Sequence, residues 1–238
     1  YVIWALLSSI AVGRALMYAL RAKRNILPAR FGVYVQCAVR FNTYIGLAIV
    51  SALAAGSGAQ MLAVILAVCI PLVNVLSIVA LLPKEQLRLG TVLLSVLKNP
   101  LVSSCVVGVA VNVLDIPLWQ GLQQLLKLLA TCSLTMGLLC VGAALQFTQV
   151  KLNWRLVLLN SAWRLLCIPL LAWAMCGVFG LSTVATQVLV IFFGLPTASA
   201  SYILTKVLKG DAPLMASIIS VQTLLSLLTL PWLIFITA

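Results

Sequence analysis

The chain has 238 residues, 64% of them hydrophobic and 8% charged, with a mean hydropathy of +1.22 and a formal net charge of +12. A soluble domain is roughly half apolar and a quarter charged, so the composition excludes one and indicates an all-α polytopic membrane protein. The basic excess does not point to nucleic acid, because no clustered basic face with interleaved aromatics accompanies it and basic residues of membrane proteins collect in cytoplasmic loops.

The chain opens at Tyr1 inside an apolar run, with no Met, n-region or cleavage site ahead of it. We read it as lacking its true N-terminus rather than as starting with a signal peptide. Eight apolar spans follow in order, at about Tyr1–Leu20, Phe31–Leu53, Met61–Leu82, Leu89–Val113, Leu118–Leu145, Trp154–Val178, Thr183–Val207 and Pro213–Ile236. Each is about 20 residues or slightly more, enough to cross the hydrocarbon core as a helix, whereas barrel strands would be about ten residues long and alternating. The fifth span is long enough to hold an irregular or re-entrant start.

Loop charges orient these spans. Arg21, Lys23, Arg24 and Arg30 follow the first, Lys84 and Arg88 the third, Lys151 and Arg155 the fifth, and Lys206 and Lys209 the seventh. The alternate loops contain no Lys or Arg. The basic loops are therefore cytoplasmic and both ends of this chain lie outside.

The seventh span contains Phe192–Lys206, FFGLPTASASYILTK, with Gly194, Pro196, Thr197, Ser199, Ser201 and Tyr202 where a plain spanning helix would have Leu and Val. Proline gives no N–H and clashes with the carbonyl four residues back, and in hydrocarbon the resulting break must be surrounded by protein or a wet cavity. Such a break is a candidate site for a small polar solute. The competing reading is a kinked packing helix whose small residues admit a neighbour.

A second copy of the pattern favours the site. Asn74 and Ser77 in the third span match Thr223 and Ser226 in the eighth, each pair three apart on one helical face. RFNTYIGL, from Arg40, matches SASYIL, from Ser199, each with a polar cluster and a Tyr-Ile at mid-span. Arg14 and Arg164 also fall about one repeat apart. From the loop charges the two copies are inverted in the membrane, and inverted repeats with interrupted helices meeting at the midplane mark secondary transporters. Residues 1–82 are then the end of the first repeat, 83–88 a cytoplasmic linker, and 89–238 the second repeat.

RFNTYIGLA (from Arg40), IPLVNVLS (from Ile70), LKNPL (Leu97 to Leu101), MGLLCVGAAL (Met136 to Leu145), LPTASASYIL (from Leu195) and KGDA (Lys209 to Ala212) together resemble the auxin efflux carrier family of permeases, which includes bacterial malonate-type transporters and plant auxin exporters. The resemblance covers nearly the whole chain. It implies ten spans in two inverted sets of five, the fourth and ninth broken and crossing, with two spans missing upstream of this chain. Here the crossing spans would be the second and seventh. The second has no proline, unlike the plant members, so its break is expected to rest on Gly46 and local polar bonding, as that of the seventh rests on Gly194 and Pro196.

No carboxylate lies within a span: Glu85, Asp115 and Asp211 sit at or beyond span ends. Coupling to sodium or protons would have to work through amides, hydroxyls, carbonyls or the substrate itself, and no cofactor is expected. The chain has no His, and its seven cysteines stand singly within spans, so a metal site is not expected either. Among basic residues within the apolar runs, Arg14 can snorkel and Lys127 fits a shallow outer segment. Lys98 also lies within a run. Arg40 and Arg164 are deeper, facing either broken-helix carbonyls or a substrate carboxylate, for which an Arg fork offers two parallel bonds. Asn42, Thr43, Tyr44, Asn74, Ser77, Thr197, Ser199, Ser201, Tyr202 and Thr223 complete the candidate substrate-binding set. Several offer donors that orient a carboxylate without fixed charge, and helix N-termini at the breaks add positive dipole ends. Interhelical hydrogen bonding is the alternative role, strongest for Ser77 and Ser226.

The expected function is a secondary transporter of a small organic anion, a mono- or dicarboxylate such as malonate or an auxin-like acid, working by alternating access in a plasma membrane, the inner membrane if the source is bacterial. The substrate class comes from the resemblance and the positive interior. A cation or proton antiporter or sodium-coupled symporter of similar architecture is the alternative, although an antiporter would be expected to show a mid-span Asp. Membrane enzymes need clustered carboxylates for magnesium or a His-based or paired-carboxylate centre, which this chain lacks. A homodimer is left open.

Overall fold

The computed structural model describes residues 28–53, 56–81, 90, 94, 100–143 and 154–237. The expected first span with Arg14, the linker 83–88, Lys98 and the loop holding Lys151 lie outside them. Among the described residues every element is helical: α1 (Pro28–Val39), α2 (Thr43–Leu53), α3 (Ser57–Leu81), α4 (Pro100–Val113), α5 (Gln120–Ala143), α6 (Trp154–Ala162), a π-helical turn (Trp163–Cys167), α7 (Ile168–Val178), α8 (Thr183–Gly194), α9 (Ala200–Val207) and α10 (Ala212–Thr237). Five stretches are long and apolar enough to cross a membrane: 30–53, 57–81, 120–143, 154–178 and 212–237. This is an all-helical polytopic membrane protein.

Local chemistry sets several helix boundaries. The Ser182 side chain accepts a hydrogen bond from the Ala185 N–H at 3.4 Å and so starts α8. Asp211 accepts from the Leu214 N–H at 3.1 Å at the start of α10, where a carboxylate also suits the positive helix end. Its other oxygen meets Arg30 Nε at 3.3 Å, tying the start of α1 to the start of α10. Both partners are partly exposed, so this pair fixes geometry more than it adds stability. The expected irregular start of the fifth span is a short non-helical stretch at 116–119, after which α5 runs unbroken.

The sixth span is not a plain helix. Pro169 has no N–H for the carbonyl of Leu165, and the preceding turn widens so that the Ile168 N–H reaches Trp163 O, five residues back. This π turn places Arg164 in the protein interior, 1% exposed.

Packing centres on the two interrupted spans. The pair α1 and α2 lies on α3; α8 lies on α7, α10 and α3. One apolar cluster joins Ala38, Phe41, Val50, Leu62, Ile168, Leu189, Phe192 and Leu195. Phe41 and Phe192, one from each interrupted span, pack in a tilted pair with ring centroids 4.4 Å apart. A second cluster gathers Val33, Tyr34 and Cys37 with Val157, Leu214, Met215 and Ile218. In contrast, α4 and α5 are largely exposed along their apolar sides, and α5 meets the rest through α2.

Candidate functional site

Both interrupted spans break, and their breaks meet. In the seventh, α8 stops at Gly194 and Leu195 is extended at φ −63° and ψ 139°, the conformation a residue before proline favours. In the second, the break falls at Arg40–Asn42, earlier than the expected Gly46. Its cause is Asn42, whose Oδ1 accepts from the Tyr44 N–H at 3.1 Å and the Ile45 N–H at 3.3 Å, while its carbonyl accepts from the Gly46 N–H at 3.1 Å. An Asn that satisfies the first free N–H groups of a new helix competes with continuation of the old one. Gly46 lies inside α2 and has another use: a Cβ there would come within 2.7 Å of Leu195 Cδ1, so glycine lets α2 approach the opposite break. Gly194 is similarly confined, with Leu233 Cδ1 at 2.5 Å from the Cβ position.

Unwound backbone in hydrocarbon needs partners, and here each break supplies the other. The Asn42 N–H donates to the Pro196 carbonyl at 2.8 Å, and the Thr197 hydroxyl donates to the Cys37 carbonyl at 3.2 Å. The Thr197 N–H donates to Gln222 Oε1 at 3.0 Å, and Gln222 Nε2 in turn donates to Asn160 Oδ1 at 3.1 Å. Arg164 donates from Nε to the Leu195 carbonyl and from Nη1 to the Ala38 carbonyl, both at 2.9 Å. Of the two roles open to Arg164 in the sequence, the geometry fits the one facing broken-helix carbonyls.

Beside the crossing lies a cavity of about 330 Å³ whose lining includes Arg40, Asn42, Thr43, Tyr44, Asn74 and Ser199, with Leu47, Ile70 and Val73 as apolar wall. This is within the size range of small-molecule sites. Arg40 is 6% exposed and donates from Nη2 to Asn74 Oδ1 at 2.8 Å, and its buried Nη1 has no partner among the described residues. The buried Ser199 hydroxyl likewise has none among them. The first turns of α2 and α9 both contribute to the lining, so two positive helix ends border the same cavity as Arg40. Such an arrangement suits an anion with an apolar body.

Other candidates stand elsewhere. Ser77 and Thr223 donate to carbonyls of their own helices, Val73 at 2.6 Å and Ile219 at 2.8 Å. Tyr202 packs against the second apolar cluster. Ser201 is fully buried and does not line the cavity, and its hydroxyl has no partner among the described residues. Four lining residues come from α5, namely Ser133, Gly137, Cys140 and Val141. Gly137, Cys140 and Val141 lie in the MGLLCVGAAL motif of the family resemblance, which does not mark them as lining residues, and no motif marks Gln222 or Asn160; for Gln222 the available signal is an amide one position before Thr223 in an apolar span. A Cβ on Gly137 would collide with the Tyr44 ring, so this glycine seats α2 against α5. Among the described residues no cluster of His, Cys, Asp or Glu could hold a metal ion.

The comparison with curated proteins finds no match. A family model described as membrane transport protein matches residues 63–234, well over half of the chain and including most of α3, the Pro196 break and most of α10. The apolar spans, the crossing of two broken helices and this match agree, and the chain belongs to the membrane transport protein family, the family of the auxin efflux carriers.

Proposed function

We propose that this membrane transporter moves a small organic anion, a mono- or dicarboxylate, by alternating access through the cavity beside the crossing. The observation that supports the reading best is the convergence on one cavity of Arg40 and the N-terminal turns of α2 and α9. A carboxylate there would accept from Arg40 in a charge-assisted bond, with Asn74 holding the guanidinium in place. Asn42 and Ser199 edge the same space. Positive charge at this point disfavours a bound cation, so a cation antiporter is the weaker reading.

The cavity lies between the crossing and α5. Movement of the crossing past α5 would open it to one side of the membrane and then the other. In this scheme the chain comprises parts of two inverted repeats, 1–82 and 89–238, in a plasma membrane with the basic loops inside.

Proteoliposomes containing the protein test the proposal through uptake of labelled malonate, pyruvate and related acids. Saturable uptake is expected, falling by about tenfold or more in Arg40→Met, since bonds to a charged group are the strong ones. If no acid shows saturable flux while sodium or protons pass freely, the cation reading replaces it.

A further inference from the structure

Arg164 is the largest side chain that is fully buried among the described residues, and it touches neither the cavity nor a carboxylate partner. Its two acceptors are the carbonyls of Leu195, immediately after α8, and of Ala38, in the last turn of α1. These are the C-terminal ends of the two half-helices that stop at the crossing. Each such end has about half a negative elementary charge, and the two are brought within the reach of one guanidinium, where little water is present to screen their repulsion.

We propose that Arg164 is the positioning residue of the crossing: its single positive charge balances the two half-helix C-termini together and pins them side by side. The sum of two halves matches one guanidinium, and the planar fork supplies two separated donors that a single ammonium point does not. The division of labour follows from the same geometry. The C-terminal ends are neutralised internally by Arg164, whereas the N-terminal ends of α2, capped by Asn42, and of α9 border the cavity, where the helix dipole favours an anion. The π turn before Pro169 is what aims Arg164 between the two carbonyls. In this role Arg164 does not touch substrate; it keeps the two breaks, and so the two sides of the cavity, moving as one body.

The test uses the full chain purified in detergent and reconstituted in proteoliposomes, with Arg164→Lys, Arg164→Met and Arg164→Ala. Lys and Met have stems of similar volume and differ in charge. The expected result is a fall in the unfolding midpoint of about 5 °C or more for the Met variant, with at least half of that loss recovered in the Lys variant. Millimolar guanidinium chloride is expected to raise the midpoint of the Ala variant, while urea, neutral and of similar shape, does not, and the wild-type midpoint is unmoved by either. Uptake should follow the order wild type, Lys, Met, with the Met variant about tenfold or more below wild type. Equal Lys and Met midpoints, or equal responses to guanidinium and urea, would overturn the proposal. If the Ala variant does not fold, the Lys and Met pair decides. The uptake arm rests on the proposed substrate class, but the stability arm does not, so a failure of one is told from a failure of the other.

Discussion

At Leu195–Ser199 the helix stops because Pro196 cannot continue it, and its freed backbone is satisfied from outside by the Gln222 amide, the Asn42 N–H and the Arg164 fork. At Arg40–Asn42 no proline is present, and the helix stops because Asn42 begins a new one. The second solution leaves room for a charged residue inside the break, and Arg40 occupies it and lines the cavity. Matching tyrosines diverge in the same way. Tyr44 lies at the cavity against Gly137 of α5, while Tyr202 is packed into an apolar cluster. The two halves thus share a plan but differ in role. The first supplies the charge and most of the cavity wall, the second chiefly a rigid partner for it.

The sharpest way to break this contrast is Asn42→Ala. It removes the cap of α2, at a cost of about 1 kcal/mol, and with it the turn that sets Arg40 and Thr43 at the cavity. Uptake should fall by about tenfold or more, and by distinctly less in Pro196→Ala, which leaves the Arg40 side of the cavity in place. Equal losses in proteoliposome uptake would mean the halves are functionally equivalent. A smaller effect is expected from Gly137→Val, which pushes a side chain into the Tyr44 ring. Overpacking of this kind costs ~1 kcal/mol or more, so uptake should drop roughly threefold to tenfold. The corresponding enlargement at Gly142, where the space is open, should leave uptake unchanged.

How much of this is legible in the sequence depends on whether the signal is local. Pro196 forces a break whatever surrounds it, and Asn42, Asn74, Ser199 and Arg40 are conspicuous because polar groups inside an apolar span need a reason. The position of the first break is harder to read, since Gly46 is permissive but only Asn42 supplies the bonds that start a helix. Arg164 is marked by its depth, but its choice between carboxylate and carbonyls depends on where two distant half-helices end. Gly137 and Cys140 fall in the MGLLCVGAAL stretch that carries the family resemblance, but that stretch does not say which face of the helix meets a cavity, and only the approach of Tyr44 identifies it. The same holds for Ser77 and Thr223, which look like lining residues from spacing yet turn back onto their own helices.

Whether an anion occupies the space between the crossing and α5 is tested most directly at Cys140. Cys140 lines that space and is exposed, so a variant retaining Cys140 as its only cysteine reports on it through the rate of thiol alkylation. A transported acid should slow alkylation with the same half-saturation as uptake, and Arg40→Met should abolish the protection. An alkylation rate unchanged by acid at concentrations that saturate uptake would contradict that occupancy.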